Sequence, residues 1–123
     1  MANIMISGAN EGIGYHLAKQ LLDEGNKVAV LDIQTENLAG LEAVYGNNLL
    51  YFKADMRCDQ KIRDAVEQVA EDFQTIDIAI HNACKCTFCR EKDADLTVYQ
   101  DVFDVGITGE EAYTNRSMAK VKQ

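Results

Sequence analysis

Ser7-Gly8-Ala9-Asn10-Glu11-Gly12-Ile13-Gly14 is the stretch that decides how this chain is to be read. The apolar run Ile4-Met5-Ile6 enters it, and a pattern with Ile13, Leu17, Leu21 and Leu22 assigned to one helical face leaves it. Gly8, Gly12 and Gly14 give the spacing G-x-x-x-G-x-G. Glycines so placed allow a tight strand-to-helix turn, close approach of a diphosphate to the backbone, and close packing of the helix on the strand. The first amides of that helix then face the anion.

The context strengthens the motif. Asp32 follows Gly14 by eighteen positions and ends a second predicted strand, Lys27 to Ile33. A carboxylate there accepts hydrogen bonds from adenosine ribose hydroxyls and repels a 2′-phosphate, which favours NAD over NADP. Lys27 to Ile33 is too apolar for an edge open to water, so the sheet is expected to be parallel and covered on both faces.

Further along, Thr35 to Tyr45 carries Leu38, Leu41 and Val44 at helical spacing, and Leu49 to Ala54 reads as a third strand. Asp59 to Phe73 is a helix marked by Ile62, Val66, Val69 and Phe73, and Ile76 to Ile80 is a fourth strand. Strands and helices alternate over short links, the signature of βαβ units with right-handed crossovers. Beyond His81 a charged, cysteine-bearing loop from Cys84 to about Ala94 leads to the stripe Leu96, Tyr99, Phe103 and Ile107. That stripe suggests a last helix, bent near Gly106 or Gly109. The chain reads as one domain over 1–123, with βαβ units to about residue 94 and a terminal helix over 95–123.

Its 123 residues suffice for a core that buries about two-thirds of the unfolded surface. A net charge of -8 argues against nucleic acid or an anionic membrane surface as partner. No leader is read at Met1, and no apolar run approaches the roughly 18 residues of a membrane span, so a cytoplasmic location is expected. Four cysteines without a secretory signal are read as reduced thiols or ligands rather than disulfides.

With these residues in view, the chain resembles the short-chain dehydrogenase/reductase family from its N-terminus to about Gly109. Ser7 to Gly14 matches the family's T-G-x-x-x-G-I-G, and Asp32 stands at its cofactor-selecting position. Asp55-Met56 after the third strand resembles its acidic adenine-pocket residue, and His81-Asn82-Ala83-Cys84 resembles its N-N-A-G turn. In that turn His81 replaces asparagine and Cys84 replaces glycine. Asp101 to Gly109 resembles the family's D-V-N-x-x-G region, with Gly106 where the catalytic asparagine would stand.

The resemblance implies a Rossmann-type doubly wound parallel α/β sheet of about four strands in the order 3-2-1-4. It also implies a cofactor site made of Ser7, Gly8, Asn10, Glu11, Gly12, Ile13, Gly14, Asp32, Ile33, Asp55, Met56, Asn82, Ala83 and Cys84. The family's catalytic serine and Tyr-x-x-x-Lys pair belong to later elements, and no catalytic residue is assigned here. Tyr15-His16-Leu17-Ala18-Lys19 spells Y-x-x-x-K in the wrong helix and is read as a chance match.

Cys84, Cys86 and Cys89 form C-x-C-x-x-C, with His81 three residues ahead. Free thiols are the preferred reading, with a thiophilic metal or redox pair as the other, and no metal ligand is assigned. The fourth strand, with Ile76, Ile78 and Ile80, would leave an apolar edge that a homodimer could cover. The stripe from Leu96 to Ile107 serves either such an interface or packing within the chain.

Two function classes follow. One is an NAD(H)-dependent oxidoreductase of diaphorase type, passing hydride to a quinone, flavin or dye, since ordinary carbonyl reduction needs a general acid. The other is a non-catalytic dinucleotide-binding or sensing module, or a half-site completed by a partner. A truncated gene product without a retained role is a third possibility.

Overall fold

A computed structural model describes residues 1–84 together with 97, 100, 104, 105, 113, 114, 116 and 117. The elements in chain order are β1 (Asn3–Ser7), α1 (Gly12–Asp23), β2 (Lys27–Asp32), α2 (Glu36–Tyr45), β3 (Leu49–Lys53), α3 (Asp59–Phe73) and β4 (Ile78–His81). All pairings are parallel, and the strand order is β3-β2-β1-β4, as the sequence led us to expect.

Successive strand side chains point to opposite faces, and the core divides accordingly. Ile4, Ile6, Val28 and Val30 pack with Ala18 and Leu22 of α1 and Leu38 and Leu41 of α2. Met5, Ala29 and Leu31 pack on the other face with Ile62, Val66, Val69 and Phe73 of α3. This two-sided burial is why β1 and β2 are apolar at every central position. Each buried aliphatic contributes about 1.5–3 kcal/mol of transfer free energy.

Three apolar residues sit elsewhere than their spacing suggested. Ile13 is 82% exposed. The buried line of α1 is Gly14, Ala18 and Leu22; at about 100° per residue, Ile13 lies nine positions and about half a revolution from Leu22. Val44 is 72% exposed, because each three-residue step from Leu38 drifts about 60° round the helix. Ile76 is fully buried, sealed with Phe73 in the α3-side layer, and the strand expected from Ile76 to Ile80 runs instead from Ile78 to His81. Ile78 is the exposed isoleucine of this edge, at 46%.

Leu96, Tyr99, Phe103, Gly106, Ile107 and Gly109 lie outside the described residues, so the expected terminal helix is not described as a unit. Val105 and Tyr113 pack on the α3-side core, and Tyr113 is 1% exposed. Among the described residues no helix is long and apolar enough to cross a membrane.

Two glycines are required by contact. A Cβ on Gly8, whose φ is +77°, would lie 2.7 Å from the Ala83 Cα, and one on Gly14 would lie 2.2 Å from the Gly8 carbonyl oxygen. The turn is therefore pressed against both the helix it opens and the segment after β4.

Candidate functional site

Strands β1 and β4 hold the turn from one side. Ser7 pairs with His81 in the sheet register. The Ser7 Oγ accepts the Asn82 and Ala83 N–H groups at 3.1 and 3.2 Å and lies 2.7 Å from His81 Nδ1. Which of the two donates in the Ser7–His81 bond follows from the tautomer of the ring. Asn82 Nδ2 donates to the Gly8 carbonyl at 2.7 Å, and the Gly8 N–H donates to the Leu31 carbonyl at 2.8 Å.

Asp32 holds the turn from the other side. Its Oδ2 accepts the Asn10 N–H at 2.9 Å and its Oδ1 accepts the Gln34 N–H at 3.0 Å. A carboxylate has about four acceptor sites, so each oxygen keeps capacity for a further donor. Thr35 makes no side-chain cap on α2. Instead the Asn10 Oδ1 accepts the Asn37 N–H at 2.9 Å, so the glycine turn caps a helix more than twenty residues away in sequence.

These elements enclose a cleft of about 540 Å³ at the carboxyl ends of the strands. Its walls lie where the chain turns from β1 towards β2 on one side and β4 on the other, the switch point at which parallel α/β sheets receive ligands. Gly8, Asn10, Glu11 and Ile13 line it from the turn and the start of α1. Asp32 and Ile33 line it after β2, Asp55 and Met56 after β3, and Asn82, Ala83 and Cys84 after β4. Ser7, Gly12 and Gly14, also expected at the site, do not line it. Ser7 is fully buried behind the turn, Gly14 lies under it and Gly12 is on its exposed rim.

The sequence matches the short chain dehydrogenase family over residues 2–122. This chain belongs to that family. Among its relatives, zerumbone synthase of Zingiber zerumbet is 29% identical over 109 residues, covering 85% of this chain and 41% of that enzyme. The cis-2,3-dihydrobiphenyl-2,3-diol dehydrogenase of Paraburkholderia xenovorans is 38% identical over 80 residues, covering 65% of this chain and 29% of the enzyme. A short-chain dehydrogenase/reductase structure from Brucella melitensis superposes with a TM-score of 0.92 at 20% identity, covering 99% of this chain and 53% of that one. The chain thus spans about half or less of the proteins it matches, and it carries the dinucleotide-binding fold of an oxidoreductase family.

Within the short-chain dehydrogenase pattern, the His81 departure is accommodated by the Ser7 bond, while Cys84 is exposed at the cleft wall. Cys58 is a free thiol. Cys86 and Cys89 lie outside the described residues, and among those described no group of His, Cys, Asp and Glu could hold a metal. Tyr15 packs edge-on against His16 and Lys19 pairs with Asp23 at 3.5 Å, away from the cleft lining.

Sequence reading missed Arg57, Gln34, Asn37 and Tyr113. Arg57 lines the cleft and grips Asp55; its place two residues after that carboxylate was the available signal. Asn37 had no signal, because its partner Asn10 is distant in sequence. Tyr113 donates its hydroxyl to the Ile80 carbonyl at 3.0 Å and sets its ring 5.6 Å from that of His81. Burial pushes its phenol well above the ordinary value of 10.0.

Proposed function

We propose that the cleft binds NAD(H), with the diphosphate over Gly8 to Gly14, the adenosine ribose on Asp32 and the nicotinamide towards Asn82 and Ala83. One observation carries this reading. Helix α1 opens into the cleft with no side-chain cap from Glu11 and no acidic residue in its first turn, and Asp32 lines the same cleft. Its first amides are thus available to an anion, and the Asp32 oxygens retain acceptor capacity for ribose hydroxyls. A 2′-phosphate on that ribose would meet the Asp32 carboxylate, which favours NAD over NADP.

A bound nicotinamide would supply hydride. The chain's own residues bind and orient it. Among the described residues lining the cleft there is no Tyr, His or Lys to protonate a carbonyl oxygen. That supports hydride transfer to a quinone, flavin or dye-like acceptor, in which the partner molecules carry the chemistry. A homodimer belongs to the same proposal, supported by Ile78 exposed on the outer strand β4.

Titration of the full chain with NADH, followed by nicotinamide fluorescence, tests the reading. Saturable binding is expected, and no binding at millimolar cofactor overturns it. Tighter binding of NADPH overturns the role of Asp32. Binding without oxidation of NADH by any quinone, flavin or dye would favour the dinucleotide-binding module over the enzyme. A monomer mass by light scattering removes the dimer.

A further inference from the structure

Among the described residues, the formally charged side chains that line the cleft are Glu11, Asp32, Asp55 and Arg57. Carboxylates outnumber cations, so the wall offered to an anionic ligand is itself net negative. Arg57 forms an ion pair with Asp55 at 2.7 Å, and the Asp32 oxygens accept the Asn10 and Gln34 N–H groups. Glu11 is placed differently. It is exposed and stands in extended backbone at the N-cap of α1, where its side chain caps no amide of the helix. Among the described residues no Lys or Arg forms an ion pair with it.

Two effects meet at this helix end. The first amides of α1 carry the positive end of the helix dipole, so a carboxylate beside them is favourable while nothing is bound. Gly12, the first residue of α1, follows Glu11 directly, and the first turn holds no acidic residue of its own. A diphosphate seated on the same amides brings negative charge to the same place. Like charges closer than the Debye length, about 10 Å at 0.1 M salt, repel with little screening.

Resting on the NAD(H) reading, we infer that Glu11 stands in for the cofactor's diphosphate at the start of α1: its charge steadies the empty helix end and opposes the anion that takes its place. Stability of the empty chain and affinity for the dinucleotide are thereby set against each other through one exposed carboxylate. Removing that charge moves the two in opposite directions, which a residue with a merely structural role does not do.

The test compares the full wild-type chain with Glu11→Gln, which keeps the side-chain length and removes the charge. NADH is titrated by nicotinamide fluorescence at low and at high salt, and the unliganded proteins are melted at low salt. At low salt the variant should bind NADH about threefold tighter, the size of a charge effect at a helix N-terminus. Its unliganded melting temperature should be lower by about 2 °C. The affinity difference should vanish at about 1 M salt, where the Debye length is about 3 Å. A variant that binds NADH no tighter at low salt overturns the inference and leaves the cofactor reading standing. So does a gain that survives high salt unchanged, or an unliganded variant as stable as wild type. Failure of both proteins to bind NADH overturns the cofactor reading and the inference with it.

Discussion

Asn37 of α2 grips Asn10 of the glycine turn at two points: its N–H donates to the Asn10 Oδ1 at 2.9 Å, and its Nδ2 donates to the Asn10 carbonyl at 2.9 Å. Asn10 is 3% exposed and gives its own N–H to Asp32, so one residue joins the turn, the end of β2 and the start of α2. Asn10→Ala removes a helix cap in trans and should cost about 1 kcal/mol, read as a melting temperature lowered by about 4 °C. Unchanged stability would show that Asn10 does not cap α2.

Gly14→Ala should be far more damaging than its single methyl suggests. The new Cβ would lie 2.2 Å from the Gly8 carbonyl oxygen and 2.6 Å from Asn82 Nδ2, both part of the turn's own bracing. We expect a loss of about 3 kcal/mol or more in urea unfolding. Gly40→Ala, with nothing within 4 Å of the added Cβ, is the control and should be neutral or slightly stabilising.

Ser7→Ala would strip the Asn82 and Ala83 amides and His81 Nδ1 of a shared partner inside the sheet. The expected cost is about 2 kcal/mol by chemical denaturation, more than a solvent-exposed hydroxyl would show. A variant as stable as wild type would mean that the Ser7 hydroxyl is not the clasp between β1 and β4.

Tyr113 supplies a pH dependence at the alkaline end. Burial raises its phenol in the folded chain above the ordinary 10.0, so the protonated form favours folding. Its contribution is therefore complete below pH 10 and is lost as pH rises from 10 through the higher folded value. Stability measured by urea unfolding should decline over that range in the wild type, and Tyr113→Phe should flatten the decline. An unchanged slope in the variant would place the alkaline sensitivity elsewhere.

Much of this molecule was legible in local patterning. The parallel sheet and its order followed from strands apolar at consecutive central positions, alternating with helices over short links. The glycine turn and Asp32 followed from residue types that only certain backbone geometries and ligands favour. Helical faces were less legible, because the residues after Gly14 admit two apolar stripes and only contact with the sheet selects the one through Ala18 and Leu22. Ile76 was misplaced for a similar reason: Phe73 and the α3-side layer cover it before β4 begins.

By itself the sequence determined the βαβ architecture, the glycine turn between β1 and α1 and the family, since hydrophobic period, glycine spacing and motif residues are local properties of the chain. Only the tertiary structure decided how the cleft's polar groups are engaged. Asn10 serves as a cap for α2, Ser7 lies behind the turn rather than in the cleft wall, and Asp32 accepts the Asn10 N–H from the glycine turn. Acceptor capacity depends on which donors folding brings within hydrogen-bond distance, and motif spacing carries no information about them.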